Sequence, residues 1–176
     1  MSAQELAQMT TPTKPTITKE QFRAAMGSFA AGVTVITTLD ADGTPHALTA
    51  TAFSSLSADP PLCLVCVDKQ SRAHEALTVG RRFAVNMLGE GQHEVSGHFA
   101  SRVDDKFDGK DWQAGEHTGC PLLPDVIATV ECEITEILAG GDHDIFIGLM
   151  LGVQVHEGTP LVYWRGGYAA VDPAQS

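Results

Sequence analysis

The sequence predicts a mainly β protein, an antiparallel barrel with a few short helices. Three observations carry this. Alternating and β-branched runs recur along the chain, separated by short turns rich in Gly, Asp and Pro, which is the pattern of hairpins. Only one helical pattern, near residue 72, sits between two strands as a crossover. There is neither a βαβαβ alternation nor a G-x-G-x-x-G after a strand, which disfavours a doubly wound nucleotide fold.

The elements follow in order. Thr18 and Gln21 have the spacing of a capping box, and Phe22, Met26 and Phe29 then form one apolar stripe, so a helix is predicted there with Gly32 as its end. The β-branched run Val33–Leu39 predicts a strand. Asp40-Ala41-Asp42-Gly43 reads as a turn with Gly43 at positive φ, after which the chain returns through His46–Phe53. Thr49, Thr51, Ser54, Ser55 and Ser57 then crowd into a hydroxyl-rich loop that Asp59-Pro60-Pro61 closes. Leu62–Val67 is a continuous apolar run, fit for a strand buried on both faces. Ser71 is placed to cap a helix through Leu77, with Gly80 as its close. Phe83–Leu88 predicts a strand and Gly91–Ala100 a short helix. Residues 101–124 read as loop, with Gly109, Gly115, Gly119, Pro121 and Pro124. Val126–Leu138 and Phe146–His156 flank a turn at Gly140-Gly141-Asp142, and Leu161–Tyr168 completes six or seven strands.

With 176 residues and 43% hydrophobic content, the chain suits one globular domain. We expect that domain over residues 20–176, after a disordered tail at 1–19. Eleven basic against 22 acidic residues give a net charge of −11, which argues against nucleic acid or an anionic membrane as partner. No apolar run approaches the length of a membrane span, and the first 19 residues lack the apolar core of a signal peptide, so a cytoplasmic location is expected. Any dinucleotide must then be drawn in by a local positive patch, for which Arg72, Arg81, Arg82, Arg102, Lys106 and Lys110 are candidates.

Cys63 and Cys66 have CxxC spacing. On a strand, residues three apart point to opposite faces, so these two thiols should not meet, and no metal site is expected.

The segment Leu48–Arg72 holds the chemistry most open to a ligand. Its small residues let a flat ligand approach the backbone. Its hydroxyls, with Arg72 beside a helix start, suit a phosphate. An ordinary hairpin with a Ser-rich turn has the same composition.

The motifs FRAAMGSFAAGVTVITT, LTATAFSSLSADPPL, VDKQSRAHEAL, FAVNML, HFA, DKF, GCPLL, GGDHDIFIG and LVYWRGGY follow one another along the chain. In this order and spacing they closely resemble the flavin reductase family, over about residues 20–172. The resemblance implies a split β-barrel of the FMN-binding type, antiparallel and Greek-key-like, and a homodimer. It implies hydride transfer from NADH or NADPH to FMN or FAD, with reduced flavin passed to a separate monooxygenase.

The resemblance also implies roles for residues. Thr49, Ala50, Thr51, Ala52 and Phe53 would lie along the isoalloxazine ring and ribityl chain. Ser55, Gln70, Ser71 and Arg72 would hold the phosphate and ribityl end, helped by Ser54 and Asp68. His98 and Phe99 would close over the flavin, and Lys106 would reach a phosphate. His143, in Gly141-Asp142-His143, would meet the nicotinamide, and Tyr168 would line the same cleft. Two other readings compete: a split-barrel module that holds flavin without turnover, and a reductase whose tightly held flavin serves a metal or corrinoid acceptor.

Overall fold

The computed structural model describes residues 16–172. The expected tail at residues 1–19 therefore lies largely outside the described residues. Helix α1, Lys19–Gly27, starts at the capping box, in which Gln21 N–H donates to Thr18 Oγ1 and Thr18 N–H donates to Gln21 Oε1. It ends at Ser28, earlier than Gly32, and none of its residues is buried.

Seven strands make the main sheet. They are β2 (Thr34–Leu39), β3 (Pro45–Ala50), β4 (Phe53–Ala58), β5 (Pro61–Asp68), β6 (Arg82–Met87), β9 (Ala128–Gly140) and β10 (His143–Val155). Their order is β3-β2-β6-β9-β10-β5-β4, and every pair is antiparallel. The edge strands β3 and β4 are consecutive in the chain, with only Thr51 and Ala52 between them. Laid flat, seven strands would separate those edges by about 29 Å. Three Cα steps reach only about 11 Å. The sheet must therefore curl until its edges face each other, which makes a barrel split along the β3–β4 seam.

Small elements complete the fold. Helix α2 (Arg72–Gly80) crosses from β5 to β6, and α3 (His93–Ala100) follows β6. A three-stranded sheet joins β1 (Ala31–Gly32), β11 (Val162–Trp164) and β12 (Gly167–Ala169), and β7 (Gln113–Ala114) pairs with β8 (Pro121–Leu122). Among the described residues no helix is long and apolar enough to cross a membrane.

Three predicted segments differ, and one is the expected loop at residues 101–124, which contains β7 and β8. The hydroxyl-rich loop is strand β4, because its backbone pairs with β5 and needs no apolar side chains to do so. The run at Leu62–Val67 is not buried on both faces. Cys63, Val65 and Val67 point into the barrel while Leu64 and Cys66 are half-buried on the outer face.

The barrel interior packs Ile36, Val65, Phe83, Val85, Phe146 and their neighbours, and a second cluster around Val35, Leu88, Phe99 and Phe107 lies under α3. Each large side chain removed from water here contributes about 1.5–3 kcal/mol. Cys63 and Cys66 do lie on opposite faces, and Cys63 instead meets Cys132, Sγ to Sγ 3.5 Å. That contact and burial push the Cys132 thiol up.

Gly80 marks a close approach. A Cβ there would run into the Leu39 carbonyl oxygen, and the left-handed C-cap falls on Arg81 (φ 53°). Arg165 (φ 49°) and Gly166 (φ 85°) form the tight turn of the β11–β12 hairpin, as a type I′ turn requires.

Candidate functional site

The split seam leaves edge groups outside the sheet ladder. β3 pairs only with β2 and β4 only with β5, so the outward N–H and C=O groups of both strands have no ladder partner. Against this seam opens a largely apolar cleft of about 870 Å³. Thr51, Ala52, Phe53 and Ser54 form one wall, with Leu64 and Cys66 of β5 beside them. Phe22 and Met26 of α1, Phe29 just beyond its end, and Tyr163 and Trp164 of β11 complete the lining. The volume and apolar lining fit a flat aromatic ring system, and the free edge amides offer the few polar contacts such a site needs. A second cleft of about 710 Å³, lined by Trp112, Asp125, His156 and Glu157, contains none of the predicted site residues.

The ladder registers place the remaining segments. Cys66 N–H donates to Ala52 O at 2.9 Å, so Ala52 stands level with Cys66, two residues short of Asp68. His143 pairs with Asp68, Ile145 with Cys66 and Ile147 with Leu64. Directly paired residues share a face. His143 therefore stands on the same outer face as the cleft-lining Cys66, two registers away. Thr49–Ala52, Asp68–Arg72 and His143 gather at one rim of the barrel.

His143 is partly exposed, and its Nδ1 lies 2.8 Å from Asp142 Oδ1. A carboxylate only accepts, so Nδ1 carries the proton and Nε2 of the neutral ring keeps its lone pair. The same hydrogen bond holds the Asp142 carboxyl below the usual carboxylate range.

The loop after β5 is shaped by its own groups. Asp68 Oδ1 accepts from Gln70 N–H at 2.8 Å, so this carboxylate builds the turn. Ser71 caps α2 without a side-chain hydrogen bond, leaving its hydroxyl uncommitted. Arg72 is exposed and pairs with exposed Asp104, Nη1 to Oδ1 2.7 Å. Arg72 and Lys106 line one niche. Of the other cations, Arg81 is turned away and donates to Ile134 O.

Several predicted residues take other places. Ser54 lines the cleft opposite Leu64, whereas Ser55 pairs with Cys63 and points to the other side of the sheet. Both lie about 13–17 Å along the strand from Asp68, so the structure does not gather them with Gln70, Ser71 and Arg72. Ala50 belongs to the barrel core. Phe99 is 2% exposed and packs on Phe107, not at a ligand surface. His98 Nε2 is bonded to Lys106 O at 2.7 Å. Lys106 Nζ donates to Ala47 O and Phe99 O, which makes it a strut between β3 and α3; burial, then Arg72, lowers its pKa.

Tyr168 is likewise tied down. Its hydroxyl donates to Ser96 Oγ at 2.9 Å, and Thr49 Oγ1 donates to Ser96 O at 2.7 Å, so buried Ser96 links the aromatic hairpin to β3. Sequence reasoning did not assign Ser96, Cys66 or the apolar α1 stripe to the site, because each reaches its place through tertiary packing. It missed Tyr163 and Trp164 as lining residues too, although the YWRGGY run contained them.

Comparison with known proteins bears on these segments together. Residues 26–172 match the family model described as "Flavin reductase like domain". A probable flavin reductase of Rhizobium meliloti (strain 1021) is 47% identical over 146 residues, which is 83% of this chain and 47% of the relative, so the chain spans about half its length. The HsaB reductase subunit of a flavin-dependent monooxygenase from Mycobacterium tuberculosis is 37% identical over 158 residues, covering 88% of this chain and 83% of that protein. The NADH:FAD oxidoreductase SgcE6 of Streptomyces globisporus C-1027, solved with NAD and FAD fragments, superposes with a TM-score of 0.85 at 36% identity over 90% of this chain and 95% of its own. Motif order, a barrel split beside an apolar cleft, and these matches agree: the chain belongs to the flavin reductase family.

Proposed function

We propose that this protein is an NAD(P)H:flavin oxidoreductase that reduces FMN or FAD and supplies the reduced flavin to a separate flavin-dependent monooxygenase. The observation that carries the reading is the seam cleft, where free edge amides, small side chains and aromatic walls meet on the face that carries His143. The chemistry belongs to the nucleotides: a dihydronicotinamide gives up a hydride and an oxidised isoalloxazine takes it.

The protein's part is to hold two rings together. Thr51, Ala52 and Ser54 form the wall for the isoalloxazine, with edge N–H groups aimed where negative charge grows on reduction. Ser71 and Arg72, at the start of α2, take the flavin phosphate. His143 Nε2 accepts a hydrogen bond from the nicotinamide carboxamide and sets its stacking. Tyr163 and Trp164 add aromatic surface to the cleft for a ring to pack on.

The partner reading draws on HsaB, a reductase subunit of a monooxygenase. A homodimer is supported by the apolar surface of α1 and the residues just after it, where Phe22, Met26 and Phe29 are 54%, 56% and 76% exposed. Light scattering on purified protein checks it, and a monomer mass overturns it.

The deciding experiment follows NADH oxidation with and without FMN, FAD and riboflavin, repeated with NADPH. Flavin-dependent turnover is expected. Flavin binding without turnover with either nucleotide overturns the reductase reading in favour of a binding module.

A further inference from the structure

Asp144 follows His143 in the chain and points the other way. It shares the inward face of β10 with Phe146, at the barrel mouth, where its side chain is only 15% exposed. Both carboxylate oxygens are engaged. Oδ2 lies 2.8 Å from Nε2 of His74 on α2, and Oδ1 lies 3.3 Å from Nζ of Lys69 in the β5–α2 loop. Lys69 is held further: Nζ donates to Gly141 O at 2.7 Å and its N–H to Asp142 O at 3.1 Å. The His74 ring stands edge-on against the buried Phe146 ring, centroids 5.4 Å apart. One carboxylate thus joins the tip of the β9–β10 hairpin, the loop after β5 and the first turn of α2.

We propose that Asp144 is a positioning residue that clamps the hairpin tip carrying His143 to the loop and helix start carrying Ser71 and Arg72. The proposal rests on the assignment of those segments to the nicotinamide and the flavin phosphate. Backbone pairing alone fixes how β10 lies against β5. Beyond that ladder, among the described residues, a single backbone hydrogen bond, Lys69 N–H to Asp142 O, joins the loop after β5 to the two-residue turn Gly141–Asp142, and side chains supply the remaining contacts. The clamp supplies those contacts from a half-buried carboxylate, whose 2.8 Å charge-assisted hydrogen bond from His74 is short and directional. Both nucleotides must be held at once for their rings to meet, so one clamp spanning both segments sets the geometry of the pair.

The test is equilibrium binding of FMN, by quenching of its fluorescence, and of NAD⁺, by calorimetry, alongside steady-state NADH oxidation. His143→Ala should weaken NAD⁺ and spare FMN. Asp144→Asn and His74→Ala should weaken both ligands, each by about tenfold, in line with ordinary coupling between linked sites. His74→Gln restores a donor to Asp144 and should recover most of the loss, which a general packing defect would not. In the double variant His143→Ala with Asp144→Asn, NAD⁺ binding should be no weaker than with His143→Ala alone. Lys69→Gln cuts one arm of the clamp and serves if Asp144→Asn does not fold; it should weaken both ligands several-fold. The clamp is overturned if Asp144→Asn and Lys69→Gln leave both affinities within twofold while His143→Ala still weakens NAD⁺, or if His74→Gln is as impaired as His74→Ala. If His143→Ala leaves NAD⁺ binding intact, the nicotinamide assignment itself fails.

Discussion

Replacing Gly148 with alanine probes the packing that lets the barrel close. Gly148 lies on β10 and pairs with Cys63 on β5. A Cβ there would sit 2.6 and 2.7 Å from Cζ and Cε1 of Phe83 and 2.9 Å from Cys132 Cβ, against an ordinary contact of 3.4–4 Å. Something must therefore move by roughly 0.8 Å, the gap between those contacts and van der Waals distance. Phe83, Cys132 and Phe146 all have 0% exposure, so no neighbour has solvent to move into. Overpacking of this kind costs about 1–3 kcal/mol. Alanine regains about 0.5–1 kcal/mol by losing less backbone freedom on folding than glycine. The net loss of about 1–2 kcal/mol should lower Tm by about 2–8 °C in a chain of this size. Thermal unfolding followed by circular dichroism, with a urea titration, measures it. Phe83→Leu removes the two clashing ring atoms, so the double variant should be less destabilised than the sum of the singles, by about 1 kcal/mol. A Gly148→Ala protein as stable as wild type, or strictly additive effects, would refute the reasoning.

Three further outcomes are expected. His143→Ala should raise the Michaelis constant for NADH more than that for flavin, and equal effects in steady-state kinetics would remove His143 from the nicotinamide side. Asp40 accepts from the N–H groups of Asp42 and Thr44 and from His46, and the His46 hydrogen bond, first among these, holds its carboxyl below 3.8. A depressed folded pKa contributes stability that is fully present above the unfolded value and fades as pH falls through the folded one. The Tm deficit of Asp40→Ala at neutral pH should thus shrink as pH drops below 3.8, and a gap that is constant with pH contradicts the assignment. Glu131 is 4% exposed, and its Oε2 accepts from the N–H groups of His117 and Thr118 and from Thr118 Oγ1. Glu131→Ala strands two amides and should cost about 2–4 kcal/mol by urea denaturation, with Glu131→Gln distinctly milder.

Much of the architecture was legible in the chain because it is local. The capping box at Thr18, the positive φ at Gly43, the strand at Val33–Leu39 and the opposite faces of Cys63 and Cys66 all follow from short-range periodicity. Edge pairing is not local. Ser54–Ser57 looked like loop because hydroxyl side chains favour turns, yet β5 supplied a ladder partner and the backbone took it. The α1 stripe was read correctly as apolar, but its exposure depends on what else packs nearby.

The site divides along the same line. The sequence by itself singled out the candidate segments: Thr49–Ser55, Asp68–Arg72 and Gly141–His143 stand out through composition, charge and motif order. Tertiary structure alone decided which side chains of those segments are free. A hydroxyl, imidazole or ammonium that meets a carbonyl in the fold is spent on it. Lys106 and Tyr168 are committed in this way to main chain and to Ser96, whereas Ser71 and His143 Nε2 are not. It also decided that Asp144, Lys69 and His74 meet. Their separation along the chain is bridged only by the antiparallel register of β5 against β10 and by the crossover of α2, which no local pattern encodes.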